Sequence, residues 1–126
     1  MSEYFYSDLT REIISAAMEV HSHLGPGMLE SAYEECLSFE LGNRGIKITR
    51  QAPIPVVYKD IKLECGYRAD IIVDGKVILE LKSAEAINDV HEAQVLTYLK
   101  FSKCKVGLLI NFNVKSLKDG IRRFVL

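Results

Sequence analysis

The fold of this chain is decided by residues 66–83, which read GYRADIIVDGKVILELKS. Apolar residues on both sides of Asp74-Gly75, a dipeptide typical of tight turns, predict a β-hairpin with strands over 63–73 and 77–81. Four ionisable residues interrupt these apolar strands: Arg68, Asp70, Glu80 and Lys82. A buried carboxylate without a partner costs several kcal/mol, so the register of the hairpin must account for all four.

Loop length sets that register. A two-residue loop would pair Asp70 with Leu79 and Ala69 with Glu80, which places an acid among apolar partners on each face. A loop longer by one residue avoids this, and a slip of one residue exchanges the two faces, so the pattern favours the longer loop. The longer loop predicts the apolar pairs Val73 with Val77, Ile71 with Leu79 and Ala69 with Leu81, and on the other face Asp70 with Glu80 and Arg68 with Lys82.

Two carboxylates on facing strands, with Cβ atoms about 5 Å apart, repel each other unless positive charge lies between them. Arg68 and Lys82 would supply that charge in a structural ion-pair quartet, which needs no ligand. A bound divalent cation would supply it equally well. The hairpin alone leaves both interpretations open.

Elsewhere the spacing of apolar residues changes from helical to extended and back. Helical periodicity predicts helices from Ser7 to about Leu24, from about Leu29 to Gly42-Asn43, and over 84–100, with Gly25-Pro26-Gly27 separating the first two. Alternation predicts strands at 46–50 and 54–58, and the continuous apolar run 106–110 predicts a strand buried on both faces. The order ααβββ(β)αβ indicates an α/β fold with a mixed sheet.

Composition places the chain in a broad class. Its 126 residues, 48% of them hydrophobic, predict one domain spanning 1–126. No apolar run approaches the ~20 residues that cross a bilayer, and the first residues lack a signal pattern. Cys36, Cys65 and Cys104 show no paired spacing. We therefore expect no membrane partner and a reducing, cytoplasmic location.

Charge is sorted along the chain although the net charge is only −1. Residues 1–45 hold two basic and eight acidic groups, whereas 100–126 hold seven basic groups and one acidic group. The basic end would form either a surface facing a polyanion or an ordinary solvated face. Clustering along the chain does not decide between them.

Further polar residues stand at the ends and along one side of the predicted helices. Glu30, near the start of the second helix, has the ordinary role of a first-turn acid. His91, Gln94 and Tyr98 fall at i, i+3 and i+7 of the third helix and form a polar stripe. His91 has no second His or Cys at ligand spacing, so we predict a hydrogen-bonding role for it and no zinc site.

Together these residues resemble the PD-(D/E)XK nuclease superfamily, in which an acid is followed along a hairpin by Glu-x-Lys. Ala69 stands where the name-giving motif has proline. More narrowly, an ordered set of motifs is similar to the small GxxExxY group: Gly27-x-x-Glu30-x-x-Tyr33, Arg68-Ala69-Asp70, Glu80-Leu81-Lys82, Gln94-x-x-x-Tyr98 and Leu108-Leu109-Ile110-Asn111-Phe112.

The resemblance implies a restriction-endonuclease-like core and metal-dependent hydrolysis of phosphodiester bonds in DNA or RNA. It implies that Asp70, Glu80 and Lys82 are catalytic. It further implies Mg²⁺ or Mn²⁺ held by Asp70, Glu80, the Leu81 carbonyl and Glu30, with substrate-binding or supporting roles for Arg68, Gln94, Tyr98, Tyr33 and His91. The alternative is a catalytically silent nucleic-acid-binding or regulatory module that retains the fold. So small a chain would gain specificity as a homo-oligomer.

Overall fold

The computed structural model of this chain describes residues 6–63 and 66–126. It contains three α-helices and seven strands in the described residues, with a short 3₁₀ turn (Leu117–Gly120) before the last strand. The helices are α1 (Ser7–Leu24), α2 (Glu30–Asn43) and α3 (Asp89–Phe101). The strands are β1 (Ile48–Pro53), β2 (Val57–Tyr58), β3 (Ile61–Lys62), β4 (Arg68–Val73), β5 (Val77–Lys82), β6 (Val106–Asn111) and β7 (Ile121–Val125).

A mixed five-stranded sheet in the order β1-β4-β5-β6-β7 forms the centre of the fold. Strands β5 and β6 are parallel, and α3 makes the crossover between them, while the other neighbours are antiparallel. Strands β2 and β3 form a separate small hairpin. The predicted α/β fold with a mixed sheet flanked by helices is confirmed.

Helices cover both faces of the sheet. On one face α1 and α2 pack Ile13, Tyr33 and Leu37 against inward residues of β4, β5 and β6. On the other face α3 packs Val95 and Leu99 against the sheet. Every residue of β6 is buried, as predicted for a strand that is covered on both sides.

The first two helices lie where periodicity predicted them, with Gly25-Pro26-Gly27 between them. The third begins at Asp89, five residues later than the predicted start at position 84. Asn88 is the reason, because its side chain accepts a hydrogen bond from the His91 backbone N–H (2.9 Å) while its own N–H donates to His91 Nδ1 (3.2 Å). Residues 84–87 remain outside the helix.

Predictions for the strands were less accurate. Strand β1 extends to Pro53, the predicted strand 54–58 shortens to β2, and β4 begins at Arg68 within a predicted strand 63–73 that includes residues 64–65, outside the described part. Strand β7 was not predicted, because Ile121 and Phe124 are three residues apart and do not alternate. It pairs with β6 and forms one edge of the sheet.

The basic residues near the carboxyl end are divided between the two faces of the sheet. Arg122 forms an ion pair with Glu92 on α3, whereas Arg123 donates to Thr10 on α1 (3.3 Å). These helices lie on opposite sides, so adjacent arginines on β7 point apart, as strand geometry requires. Arg122 and Arg123 therefore do not contribute to the same surface, although they are adjacent in the sequence.

No helix in the described ranges is long and apolar enough to cross a membrane. Cys36 and Cys104 are free thiols, and Cys65 lies outside the described residues.

Candidate active site

The hairpin formed by β4 and β5 has the register that the charge argument predicted. Val73 pairs with Val77 and Ile71 with Leu79, which leaves a three-residue loop. In that loop Asp74 and Gly75 have φ angles of 53° and 65°, and Lys76 N–H donates to the Val73 carbonyl (2.9 Å). Left-handed conformations at both central positions are those that Asp-Gly tolerates.

The regular pairing of β4 with β5 ends at Ile71 and Leu79. Ile71 packs in the core below α1 and α2, but Ala69 packs in the core below α3. Alternate residues of a regular strand share one face, so the alternation is interrupted at Asp70. The predicted pairing of Ala69 with Leu81 on a common face is therefore wrong. Asp70 lies where the side chains of β4 change from one face of the sheet to the other.

Side chains replace the backbone ladder at this point. Asp70 N–H donates to Glu80 Oε2 (2.9 Å), and Leu81 N–H donates to Asp70 Oδ2 (2.8 Å). Each carboxylate thus has one oxygen fixed by the opposite strand. The other oxygens, Asp70 Oδ1 and Glu80 Oε1, accept no hydrogen bond from the described residues and remain accessible to water.

The predicted ion-pair quartet does not form. Arg68 instead donates through its guanidinium to the Gln51 carbonyl on β1 (3.0 Å), and Lys82 Nζ donates to Gln94 Oε1 on α3 (3.4 Å). Within residues 6–63 and 66–126, neither carboxylate of the pair has an ion-pair partner. The ion-pair quartet, one of the two interpretations that the hairpin alone left open, is therefore excluded.

The acid pair is held in an environment that disfavours two negative charges. Burial and, next in size, the nearby charge of Asp70 raise the pKa of Glu80 to about 8, although the backbone hydrogen bond from Asp70 and the charge of Lys82 act in the opposite direction. Burial also raises the pKa of Asp70, with Glu34 and Glu30 acting in the same direction. Glu80 is only 3% exposed. A cation between the two carboxylates would relieve both causes.

Lys82 is connected to α3 through the predicted polar stripe. Gln94 accepts from Lys82 with its amide oxygen and donates through Nε2 to the Tyr98 hydroxyl (3.2 Å). Burial and the Glu80 charge raise the pKa of Tyr98, which keeps this phenol protonated. Two of the three stripe residues are therefore connected to Lys82 by hydrogen bonds.

His91, the third member of the stripe, forms the cap of α3 described above. This is the hydrogen-bonding role that we predicted for it. Contact of His91 with substrate stays a prediction.

Glu30 is the first residue of α2, and its side chain accepts from the Ser83 N–H (3.2 Å) just beyond β5. The described residues contain no group of three His, Cys, Asp or Glu side chains placed to hold an ion together. Glu30 therefore does not join Asp70 and Glu80 in a three-carboxylate cluster, and its predicted route to an ion through water fits this placement better.

Tyr33 is fully buried and stacks on Phe112, with ring centroids 4.3 Å apart. Its hydroxyl donates to the Gly25 carbonyl (2.6 Å) and accepts from Met28 N–H (3.1 Å). Burial excludes direct contact with substrate, so that part of the prediction is corrected. Tyr33 instead fixes the segment that leads into Glu30.

Sequence reasoning missed two supporting residues. Asn111, 2% exposed at the end of β6, holds the segment after Lys82 by accepting from Ala84 N–H (3.1 Å) and donating to the Ala84 carbonyl (3.0 Å). Gln51 lies opposite Asp70 on β1 with a φ of 48° and donates to Glu34 (2.7 Å). A signal for Asn111 was its polar side chain at the end of a wholly apolar run. Gln51 has no local signal.

These features define a class of protein: a mixed sheet lies between two helical layers, and two carboxylates without an ion-pair partner in the described residues lie where the regular pairing of a central hairpin ends. A lysine lies on the same strand as the second acid. A family description of the PD-(D/E)XK nuclease superfamily matches residues 7–124. The chain belongs to this superfamily, whose members are nuclease-like and generally depend on divalent metal. No curated protein and no solved structure matches the chain. Membership of the GxxExxY group stays a prediction.

Proposed function

We propose that this chain is a metal-dependent nuclease that hydrolyses phosphodiester bonds in nucleic acid, with Asp70, Glu80 and Lys82 at its centre. One observation carries the proposal. Two adjacent carboxylates have no ion-pair partner among the described residues, and each has one oxygen fixed by a backbone N–H and one that accepts no hydrogen bond from these residues. Hard divalent cations bind to such oxygen pairs.

The donor set fits Mg²⁺ or Mn²⁺. Asp70 and Glu80 offer the open oxygens, and the Leu81 carbonyl and Glu30, the latter through water, complete the predicted ligands. When bound, such a cation neutralises charge at the phosphate and promotes ionisation of water near neutral pH. Carboxylate and carbonyl oxygens with open positions suit these ions better than zinc, which favours nitrogen and sulfur.

The residues of the chain have separable tasks in hydrolysis. Lys82 shares a strand face with Glu80, two residues away, and would donate to the phosphate oxygens or orient the attacking water. Gln94 holds the Lys82 ammonium in place, and the protonated Tyr98 phenol fixes Gln94 in turn. Arg68, exposed beside the site, would contact a flanking phosphate.

The finer assignments belong to the same proposal. We place the chain in the GxxExxY group on the strength of its ordered motifs. Its free thiols suit a reducing, cytoplasmic compartment. A homo-oligomer would add contacts to DNA or RNA beyond those of one small domain.

The direct test is cleavage of single- and double-stranded DNA and RNA by the purified protein with Mg²⁺ or Mn²⁺. We expect Asp70→Asn to reduce the rate by more than about 100-fold, because even a group that only supports a metal ligand contributes 10- to 100-fold. The amide oxygen of asparagine still accepts from Leu81 N–H, so the fold is retained.

Asp74→Asn is the matched control. Asp74 lies in the loop of the same hairpin with a φ of 53°, a conformation that asparagine also adopts, and it is exposed. This variant should cut at the wild-type rate. Absence of cleavage with every substrate and both metals, or cleavage that survives Asp70→Asn, would contradict the proposal.

A further inference from the structure

Two cavities share the lining residue Tyr67, which lies three residues before Asp70 in the chain. Tyr67 immediately precedes β4, and its carbonyl accepts from Ile54 N–H (2.8 Å), which fixes the backbone. Its ring is 44% exposed, so an aromatic surface stands between the cavities. The cavities have different chemistry.

The first cavity, of about 480 Å³, has two cations among the described residues that line it. Lys62 and Arg68 line it together with Pro53 and Pro55. Both cations are exposed, and Arg68 uses its guanidinium for one backbone carbonyl and keeps further donors free. This surface suits a phosphate group.

The second cavity, of about 320 Å³, is largely apolar. Its lining includes Val56, Val90, Ala93 and Thr97 besides the two tyrosines, Tyr67 and Tyr98. Val90 is 75% exposed at α3. A flat apolar group such as an unstacked base would cover this surface.

Gln94 connects the second cavity to the proposed catalytic centre. It lines the cavity and also accepts a hydrogen bond from Lys82 Nζ (3.4 Å). Tyr98 lines the same cavity, and burial together with the charges of Glu80 and Asp70 raises its pKa. A ligand in this cavity is therefore one residue away from the lysine that would act on the phosphate.

We propose that the two cavities form a groove for an unpaired nucleotide, with its base against Tyr67 and its phosphate along Lys62 and Arg68. This inference rests on the proposed nuclease function and names its substrate class, single-stranded nucleic acid or an unpaired segment. Proteins bind single strands by combining basic side chains along the backbone with aromatic rings on which bases stack. A paired base would first have to leave its stack to reach Tyr67.

The test measures binding without cleavage, in EDTA at low ionic strength. Single-stranded DNA and RNA oligonucleotides with one 2-aminopurine, and duplexes of the same sequence, are titrated with the protein. We expect tighter binding of the single strands and quenching of 2-aminopurine by the Tyr67 ring. Comparing the DNA and RNA arms shows which sugar the groove accepts.

Substitution of Tyr67 makes the test specific. Tyr67→Leu should weaken single-strand binding roughly 10- to 100-fold and abolish the quenching, whereas Tyr67→Phe should retain both. Tyr58→Leu is the control, because Tyr58 is also exposed (59%, compared with 44% for Tyr67) but lies on the β2–β3 hairpin and lines neither cavity.

The outcomes separate this inference from the proposed function. Tighter binding of duplexes, no binding of single strands, or equal binding by wild type and Tyr67→Leu would overturn the groove even if Asp70-dependent cleavage is found. Quenching that depends on Tyr67 in a protein that never cleaves would support the groove and defeat the nuclease proposal.

Discussion

Asp70 and Glu80 fix each other's position through hydrogen bonds, but their negative charges repel each other. Each carboxylate accepts a backbone N–H from the strand of the other, which favours its charged form, while burial and mutual repulsion favour its protonated form. For Glu80 the second effect wins, because its pKa is raised to about 8. The metal-free site therefore holds a proton near neutral pH that a cation would displace.

This balance predicts how stability depends on pH. Glu80 is protonated up to about pH 8 in the folded chain but ionises near its usual value of 4.5 when unfolded. The folded state therefore binds the extra proton, and its contribution to stability is lost as pH rises from about 4.5 to about 8. We expect wild type to lose more stability than Glu80→Gln between about pH 5 and about pH 9, measured by urea unfolding in EDTA.

Glu85→Gln provides the comparison, since Glu85 is exposed and lies just beyond the same strand. Its unfolding should follow wild type at both pH values. Parallel pH profiles for wild type and Glu80→Gln would show that Glu80 ionises normally, and would contradict the raised pKa of this carboxyl group.

Among the elements, β6 and the turn that follows it fix the segment that follows β5. Asn111 at the end of β6 holds Ala84, and Phe112 N–H donates to the Lys82 carbonyl (2.9 Å). Gly120 in the 3₁₀ turn lies against Asn111, where an added Cβ would be 2.2 Å from the Asn111 carbonyl oxygen. Close packing at this point therefore positions the end of β5.

Gly120→Ala should lower the free energy of unfolding by at least about 1–3 kcal/mol, because a backbone oxygen cannot move aside as a side chain can. Gly42→Ala, in the last turn of α2, should instead raise it by up to about 0.5–1 kcal/mol, since no atom lies within 4 Å of the new Cβ. Urea titration of both variants measures the two effects. Equal changes would contradict the close contact at Gly120.

At the scale of the whole molecule, the folded state alone brings the acids of β4 and β5 together, so an ion that binds them should stabilise it. Addition of Mn²⁺ should raise the melting temperature of wild type progressively with concentration, by mass action. Asp70→Asn should lose this rise, because one of the two carboxylates is gone. Calorimetric scans across a Mn²⁺ series measure the effect.

The same variant separates the metal site from a structural role for the acids. In EDTA, Asp70→Asn should be at least as stable as wild type, because it removes repulsion at Glu80 and keeps the acceptor for Leu81 N–H. A structural role would instead make the variant less stable without metal. Melting temperatures of both proteins in EDTA decide the point.

Local sequence patterns were sufficient to predict the hairpin register near its loop and the separation of the first two helices. The Asp-Gly turn and the alternation of apolar residues fixed the register near the loop, and Gly25-Pro26-Gly27 separated the helices. The motif resemblance brought Asp70, Glu80 and Lys82 into one site. The register and the separation of the helices agree with the structure because turn chemistry and periodicity act over a few residues, whereas the roles of Asp70, Glu80 and Lys82 stay a prediction.

The hydrogen-bond partners of Arg68 and Lys82 depend on tertiary contacts. Arg68 donates to Gln51 and Lys82 to Gln94, residues 17 and 12 positions away in the chain, so neither cation forms an ion pair with the acids. The late start of α3, the β7 edge and the Asn111 contact with Ala84 likewise depend on elements that meet through the fold. Local periodicity carries no information about contacts between residues far apart in the chain.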